Sequence, residues 1–168
     1  MTQNKNFIQF SRPFVEAAKN VFETMVFTKL DPQKPEIKKD NISRGDVSAV
    51  LGMNGKVDNE VSQADFKAML VLSWPYDTYF KTASAMLMDT FTEWTDDIAD
   101  VGGEICNMIM GNAKRDLADI GYKSNMAIPS MIEGKDHTIK YPNGTTVIVI
   151  PIHSAHGIIY MELCYRED

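Results

Sequence analysis

Apolar side chains recur at helical spacing early in the chain: Phe14, Ala17, Ala18, Val21, Phe22 and Met25 share one face of a segment running from Arg12 to Leu30. Pro13 suits an early helical position after Ser11 as a cap. Asp31, Pro32 and Pro35 end the segment, because proline removes an amide donor and biases its predecessor away from helix. From Ser48 the pattern changes to short β-like runs and turn signals, with Asn54-Gly55 placed as a hairpin turn after Val47–Met53 and with Phe66–Trp74 the clearest early strand, closed by Pro75. Tyr79, Phe80, Ala83, Met86 and Leu87 predict a second helix over Tyr76–Met88, and a third runs from about Thr92 to Ile120, closed by Gly121. Beyond it lie a short apolar run, Met126–Met131, that contains Pro129, and Thr138–Tyr141 leading into the turn Pro142-Asn143-Gly144. Two stronger runs, Thr145–Ile152 and Gly157–Tyr165, predict a terminal hairpin. Three principal helices against a mostly antiparallel sheet is the packing that satisfies this order: an α+β fold, one domain over residues 1–168.

Composition narrows the function without naming it. A hydrophobic fraction of 44% with 24% charged residues describes a folded globule. The formal net charge of -6 argues against nucleic acid and anionic membrane surfaces as partners. Cys106 and Cys164 form no CxxC pair and fit a reducing compartment, so the expected location is cytoplasmic. The amino terminus lacks a signal-peptide pattern and is expected to stay attached. Runs such as Ala68–Trp74 and Thr146–Ile152 fall short of the roughly 20 apolar residues of a spanning helix, so no membrane insertion is expected. There is no GxxxxGK[ST] loop and no dinucleotide glycine fingerprint. His153 and His156 are two residues of a turn-like stretch with no third ligand near them in sequence, and His137 stands apart, so no metal site is expected on this chain. Cys106 lacks a paired histidine and reads as an inert helical thiol.

The segment Asp100–Leu117 carries the candidate chemistry. Asp100, Glu104, Asn107 and Gly111 are spaced four, three and four residues apart, which places all four on one outward stripe of a helix. Val101, Ile105, Met108 and Asn112 occupy another face, extended by Ile98 and Ile109, so the helix can be fixed to a core while the stripe stays accessible. Polar residues at such spacing are most often a solvated face. Gly102, Gly103 and Gly111 raise the interest, because each lowers helix stability by about 1 kcal/mol relative to alanine and implies a need for local clearance.

This stripe, with Pro129 following Asn107 after twenty-one intervening residues and with the runs Gly111-Asn112-Ala113-Lys114 and Ile128-Pro129-Ser130, resembles the CheC/CheX/FliY class of chemotaxis phosphatases, most closely its CheX branch. The resemblance extends over most of the chain and includes the order of helices and strands. It implies a protein phosphatase that hydrolyses the aspartyl phosphate of a CheY-like response-regulator receiver domain. Its catalytic acid and amide fall on Glu104 and Asn107, with Asp100, Gly111 and Pro129 supporting the motif. Glu104 is expected to salt-bridge a receiver lysine and Asn107 to orient the attacking water, which an amide can do because it both donates and accepts. Mg2+ is expected on the receiver, with no cofactor on this chain. A homodimer assembled through strands is also implied, the apolar carboxy-terminal runs being compatible with an exposed sheet edge. One such site per chain is expected, because Tyr76–Met88 contains no glutamate and Glu16 is followed at the needed spacing by Lys19. A noncatalytic receiver-binding scaffold is the alternative that the same surface would serve.

Two further patterns bear on this. Met86 to Glu104 holds Asp89, Glu93, Asp96, Asp97, Asp100 and Glu104 with no Lys or Arg, a solvated face that would also steer a basic rim. Met86, Met88, Met108, Met110, Met126 and Met131 are expected mainly as core filler, with an adaptable protein-contact surface as the alternative for a few of them.

Overall fold

The structure, a computed structural model, describes residues 2–168, with side chains from Phe7 onward. Its first helix, α1, spans Thr2–Val21 and so begins well before Arg12. Pro13 lies inside it, and Ser11 is no cap, its hydroxyl donating to the Ile8 carbonyl at 3.0 Å. What outweighs the amide lost at Pro13 is aromatic packing. Phe10 lies 4.9 Å from Tyr165, 5.1 Å from Phe14, 5.2 Å from Tyr122 and 5.6 Å from Phe66, ring centre to ring centre. A π-helical turn, Phe22–Val26, continues α1, and Phe27 in the left-handed region (φ 58°) ends it before the prolines are reached.

Eight strands form one sheet, every recorded pair antiparallel: β1 (Asp31–Pro32), β2 (Glu36–Lys38), β3 (Val47–Asp58), β4 (Gln63–Trp74), β5 (Tyr122–Met126), β6 (Ser130–Glu133), β7 (Thr146–Ser154) and β8 (Gly157–Glu167). The order is β1-β7-β8-β4-β3-β5, with β2 also on β7 and β6 also on β3. The α+β architecture with three principal helices, α1, α2 (Tyr76–Leu87) and α3 (Val101–Asp119), is therefore as the sequence predicts.

The expected turn at Asn54-Gly55 is not there. Both residues lie inside β3, opposite Lys67 and Phe66 of β4, and the chain reverses only at Asn59, whose side-chain oxygen accepts from Val61 N and Ser62 N at 2.9 Å each. Gly55 serves close approach instead of reversal: a Cβ there would lie 1.8 Å from the Lys123 carbonyl oxygen of β5. The apolar run Met126–Met131 likewise divides, Met126 ending β5 and Ser130 opening β6, both on β3. The carboxy-terminal strand is no free edge. β8 lies between β7 and β4, while β1 and β2 pair with the other side of β7.

The sheet's two faces are packed differently. Leu51, Leu70, Leu72, Trp74, Met161 and Leu163 face α1 and α3 in the main core. On the opposite face Lys38 Nζ lies 2.9 Å from Glu162 Oε2 and 2.6 Å from the Tyr141 hydroxyl, both charged side chains fully buried. Beside them His137 bridges the Gly134 carbonyl and Ser48 Oγ at 2.7 Å each, and Ser48 meets Ser73 Oγ at 3.1 Å. Among the described residues no helix is long and apolar enough to cross a membrane.

Candidate functional site

The third helix is shorter at its start than periodicity implies. The chain approaches it through a 3₁₀ turn, Asp96–Ile98, and Asp100 stands at the N-cap of α3 with no side-chain capping bond. The cap comes from another helix. The Tyr79 hydroxyl of α2 donates to the Ile98 carbonyl at 2.7 Å and accepts from the Gly102 N–H at 3.1 Å, satisfying one of the amides a helix start leaves open. Tyr79 packs edge-on to Trp74 at 5.2 Å and stacks on Trp94 at 5.6 Å, and burial pushes its phenol pKa up. The ring is thus a neutral donor held in place. The start of α2 is fixed in turn by Asp46 Oδ2, which accepts from Tyr76 N at 2.9 Å.

The paired glycines bring α3 down onto the sheet. A Cβ at Gly102 would lie 3.0 Å from both the Trp74 ring and the Met131 methyl, and one at Gly103 would lie 3.4 Å from Pro129 Cβ. Pro129 is therefore a packing partner of the helix's first turn, beside the residues whose spacing drew attention to it. Cys106, on the buried side of α3, is fully enclosed, and burial pushes its thiol up to about 12, which leaves it protonated and unreactive.

Asp100, Glu104, Asn107 and Gly111 are all exposed, so the stripe faces outward as its spacing predicts. Among the described residues, neither Glu104 nor Asn107 has a side-chain hydrogen bond or ion pair within this chain. Taking Gly103 as the sheet-facing edge, the helical turn rotates Asn107 by about 40° and Glu104 by about 100° away from it. Asn107 is consequently the member whose direction is turned more toward the Pro129 side of the helix. Gly111 does not make room for another element, since a Cβ there meets nothing within 4 Å. Asn112 is exposed, not part of the apolar face, which ends at Val101, Ile105, Ile109 and Leu117.

Asp89, Glu93, Asp96, Asp97, Asp100 and Glu104 are all exposed, giving the entrance to α3 an acidic surface. Met110 is buried, but Met88 is 80% and Met126 49% exposed, so those two are not core filler. Met88 sits at the left-handed cap of α2, which turns its side chain out of the helix's buried face. Among the described residues no three His, Cys, Asp or Glu side chains gather as a metal-holding group. Sequence reading missed Tyr79 as the clamp on α3. Its apolar periodicity marked it as core, and no local signal ties its hydroxyl to an amide 23 positions away.

The arrangement offers an outward amide and carboxylate on a helix whose first turn is fixed at three points, suited to entering a partner's site. A family model described as "Chemotaxis phosphatase CheX" matches residues 47–153. A CheC-like superfamily protein from Shewanella sp. PV-4 is 33% identical with a TM-score of 0.81, covering 95% of this chain and 98% of its own. Chemotaxis protein CheX from Vibrio vulnificus is 34% identical with a TM-score of 0.79, covering 94% and 99%. At 22% identity, a likeness of fold, a Borrelia burgdorferi CheX solved as a complex with CheY, BeF3 and Mg2+ has a TM-score of 0.76 and covers 94% and 98%. No curated protein matches the chain.

Proposed function

The chain belongs to the CheX family of chemotaxis phosphatases, and from that premise we propose that it hydrolyses the aspartyl phosphate of a CheY-like receiver domain, with Asn107 and Glu104 as the residues that enter the partner's site. The observation that carries this reading is the exposure of both side chains, without a partner among the described residues, on a helix held rigid by Tyr79, Gly102 and Gly103. Asn107 orients a water whose oxygen attacks phosphorus. The bond from phosphorus to the aspartyl oxygen breaks, leaving a carboxylate on the receiver and inorganic phosphate, which takes up the proton lost by water. Glu104 pairs with a receiver lysine and sets the register of docking. Mg2+, when bound in the receiver's acidic pocket, neutralises charge on the phosphoryl oxygens. The Borrelia burgdorferi complex, which holds CheY, BeF3 and Mg2+, supports that composition. Strand pairing into a homodimer would use one of the sheet's two outer edges, β1 with β2 beyond β7 or β5 with β6 beyond β3.

The test is decay of receivers phosphorylated with a small phosphodonor, followed by phosphate release with and without this chain. Acceleration that vanishes on chelation and returns with magnesium supports the reading. No acceleration with any receiver of the same genome removes it in favour of a noncatalytic scaffold or another role. Glu104→Gln keeps the shape and removes the charge, so KM should rise about five- to tenfold with kcat little changed. An unchanged KM would move the lysine contact to another acid. Salt should weaken docking of the wild type in the same assay, because the six exposed carboxylates from Asp89 to Glu104 act across solvent.

A further inference from the structure

We propose that the phosphorylated receiver docks across a footprint joining Glu104 and Asn107 to an apolar edge at Met126-Ala127-Ile128 and to a bare patch of helix at Gly111, an inference that rests on the receiver-phosphatase reading. The three edge residues are consecutive, apolar and exposed, Ile128 being 88% accessible. Single exposed apolar side chains are ordinary on any protein surface. A run of three contributes little to this chain's own core and favours aggregation unless a partner covers it.

The edge is tied to the stripe by anchored neighbours on both sides. Ala127 donates its N–H to the Gly52 carbonyl at 2.9 Å, and Pro129 rests on Gly103 of α3. Ile128 therefore projects from a short bridge held at each end, only about 3.8 Å along the backbone from Pro129. Asn107 lies one turn along the helix from Gly103, about 5–6 Å between side-chain roots. It is also the stripe residue rotated toward that side. Alternation along β5 puts Met126 on the same face as buried Tyr122, the face the helices cover, so Met126 borders the same surface.

Gly111 bounds the footprint one turn beyond Asn107. A Cβ there would meet nothing within 4 Å, so the glycine relieves no clash within this chain and disfavours the helix. What the bare backbone does permit is close approach from outside. The occupant consistent with all of these features has an apolar patch and basic groups beside an acidic phosphorylation pocket. The pocket takes Asn107, the patch covers Ile128, and the basic groups face the carboxylates from Asp89 to Glu104. The receiver of the proposed reaction is the occupant to which this footprint commits.

The experiment measures binding by calorimetry to CheY-like receivers of the same genome loaded with magnesium and beryllofluoride, a probe that needs no turnover. Ile128→Ser should weaken Kd about ten- to hundredfold, as expected for losing a buried apolar side chain, and Ile128→Leu should restore most of it. Gly111→Leu should raise the melting temperature of this chain yet weaken the same Kd at least about tenfold, a combination that damage to the fold cannot produce. In the decay assay Ile128→Ser should raise KM while kcat stays within about twofold. Unchanged affinity in both Ile128→Ser and Gly111→Leu, with Glu104→Gln still weakened, overturns the footprint and leaves the phosphatase reading standing. Wild type that binds the loaded receiver with this variant pattern but never accelerates its dephosphorylation upholds the footprint and removes catalysis. A change in oligomeric mass on Ile128→Ser at constant receiver affinity assigns the edge to a second copy and overturns the proposal.

Discussion

Asn107→Ala is expected to reduce kcat for receiver dephosphorylation by about a hundredfold or more, since misplacing an attacking group by about 1 Å already has an effect of that order. The fold should be unaffected. Asn107 is exposed, has no internal hydrogen bond among the described residues, and alanine favours a helix at least as well as asparagine. Circular dichroism and melting should therefore match the wild type, and binding to the beryllofluoride-loaded receiver should persist. Asn107→Asp separates orientation from base catalysis. A carboxylate accepts hydrogen bonds but does not donate, and it brings negative charge toward a phosphoryl group, so it should be as inactive as alanine. Recovery of turnover with Asp, rising through the carboxylate titration, would identify a general base and sink the orienting role. Because an amide does not titrate near neutrality, the wild-type rate should show no pH dependence originating at position 107.

The part of this site that is legible in sequence is the part governed by helical phase. The spacing from Asp100 to Gly111 places four residues on one stripe, and all four are exposed. What fixes that stripe in space is not local. Gly102 and Gly103 signal a close approach, but their partners Trp74, Pro129 and Met131 come from β4, β6 and the bridge before it, which the fold alone brings together. Two turn-forming signals were satisfied in another way. Asn54-Gly55 carries the residues of a hairpin turn, yet the ladder with β5 needs a residue without a side chain in mid-strand. Pro13 carries the signal of a helix start, yet Phe7, Phe10 and Phe14 continue the apolar face through it, and their packing decides where α1 begins. The strands β1 and β2 are too short for any period to register, with Pro32 and Pro35 in and between them, and they exist because β7 offers its edge.

Removing the ammonium of Lys38 is expected to be the most destabilising single change considered. Lys38 follows an exposed Glu36 and Ile37 in β2, so the sequence around it reads as a solvated edge, but its side chain turns beneath the sheet to Glu162 of β8 and to Tyr141. Burial and the neighbouring Glu162 carboxylate push the Tyr141 phenol up, so Tyr141 stays neutral and its hydroxyl also donates to Glu162. Lys38→Ala leaves that carboxylate enclosed without its counter-ion, a loss of about 3–5 kcal/mol for one partner of a buried pair. For a chain of this length, the melting temperature should fall by roughly 2–4 °C per kcal/mol. Glu162→Gln strands the ammonium and should act in the same direction. The double variant Lys38→Met/Glu162→Met replaces both charges with apolar groups of similar reach and should recover much of the stability, since the pair's attraction mainly offsets its own desolvation. Urea unfolding of the wild type, Lys38→Met, Glu162→Met and the double variant measures the coupling. If each single change shifts the midpoint by less than about 1 kcal/mol, as solvent-exposed pairs do, the cluster is hydrated in solution and the enclosed geometry is wrong. Because Lys38 holds β2 against β7, the single variants should also uncover an unpaired strand edge. They should therefore aggregate at temperatures where the double variant stays dispersed. Receiver binding at low temperature should stay intact, since α3 and the Ile128 bridge lie against β3 and β4, at the other side of the sheet.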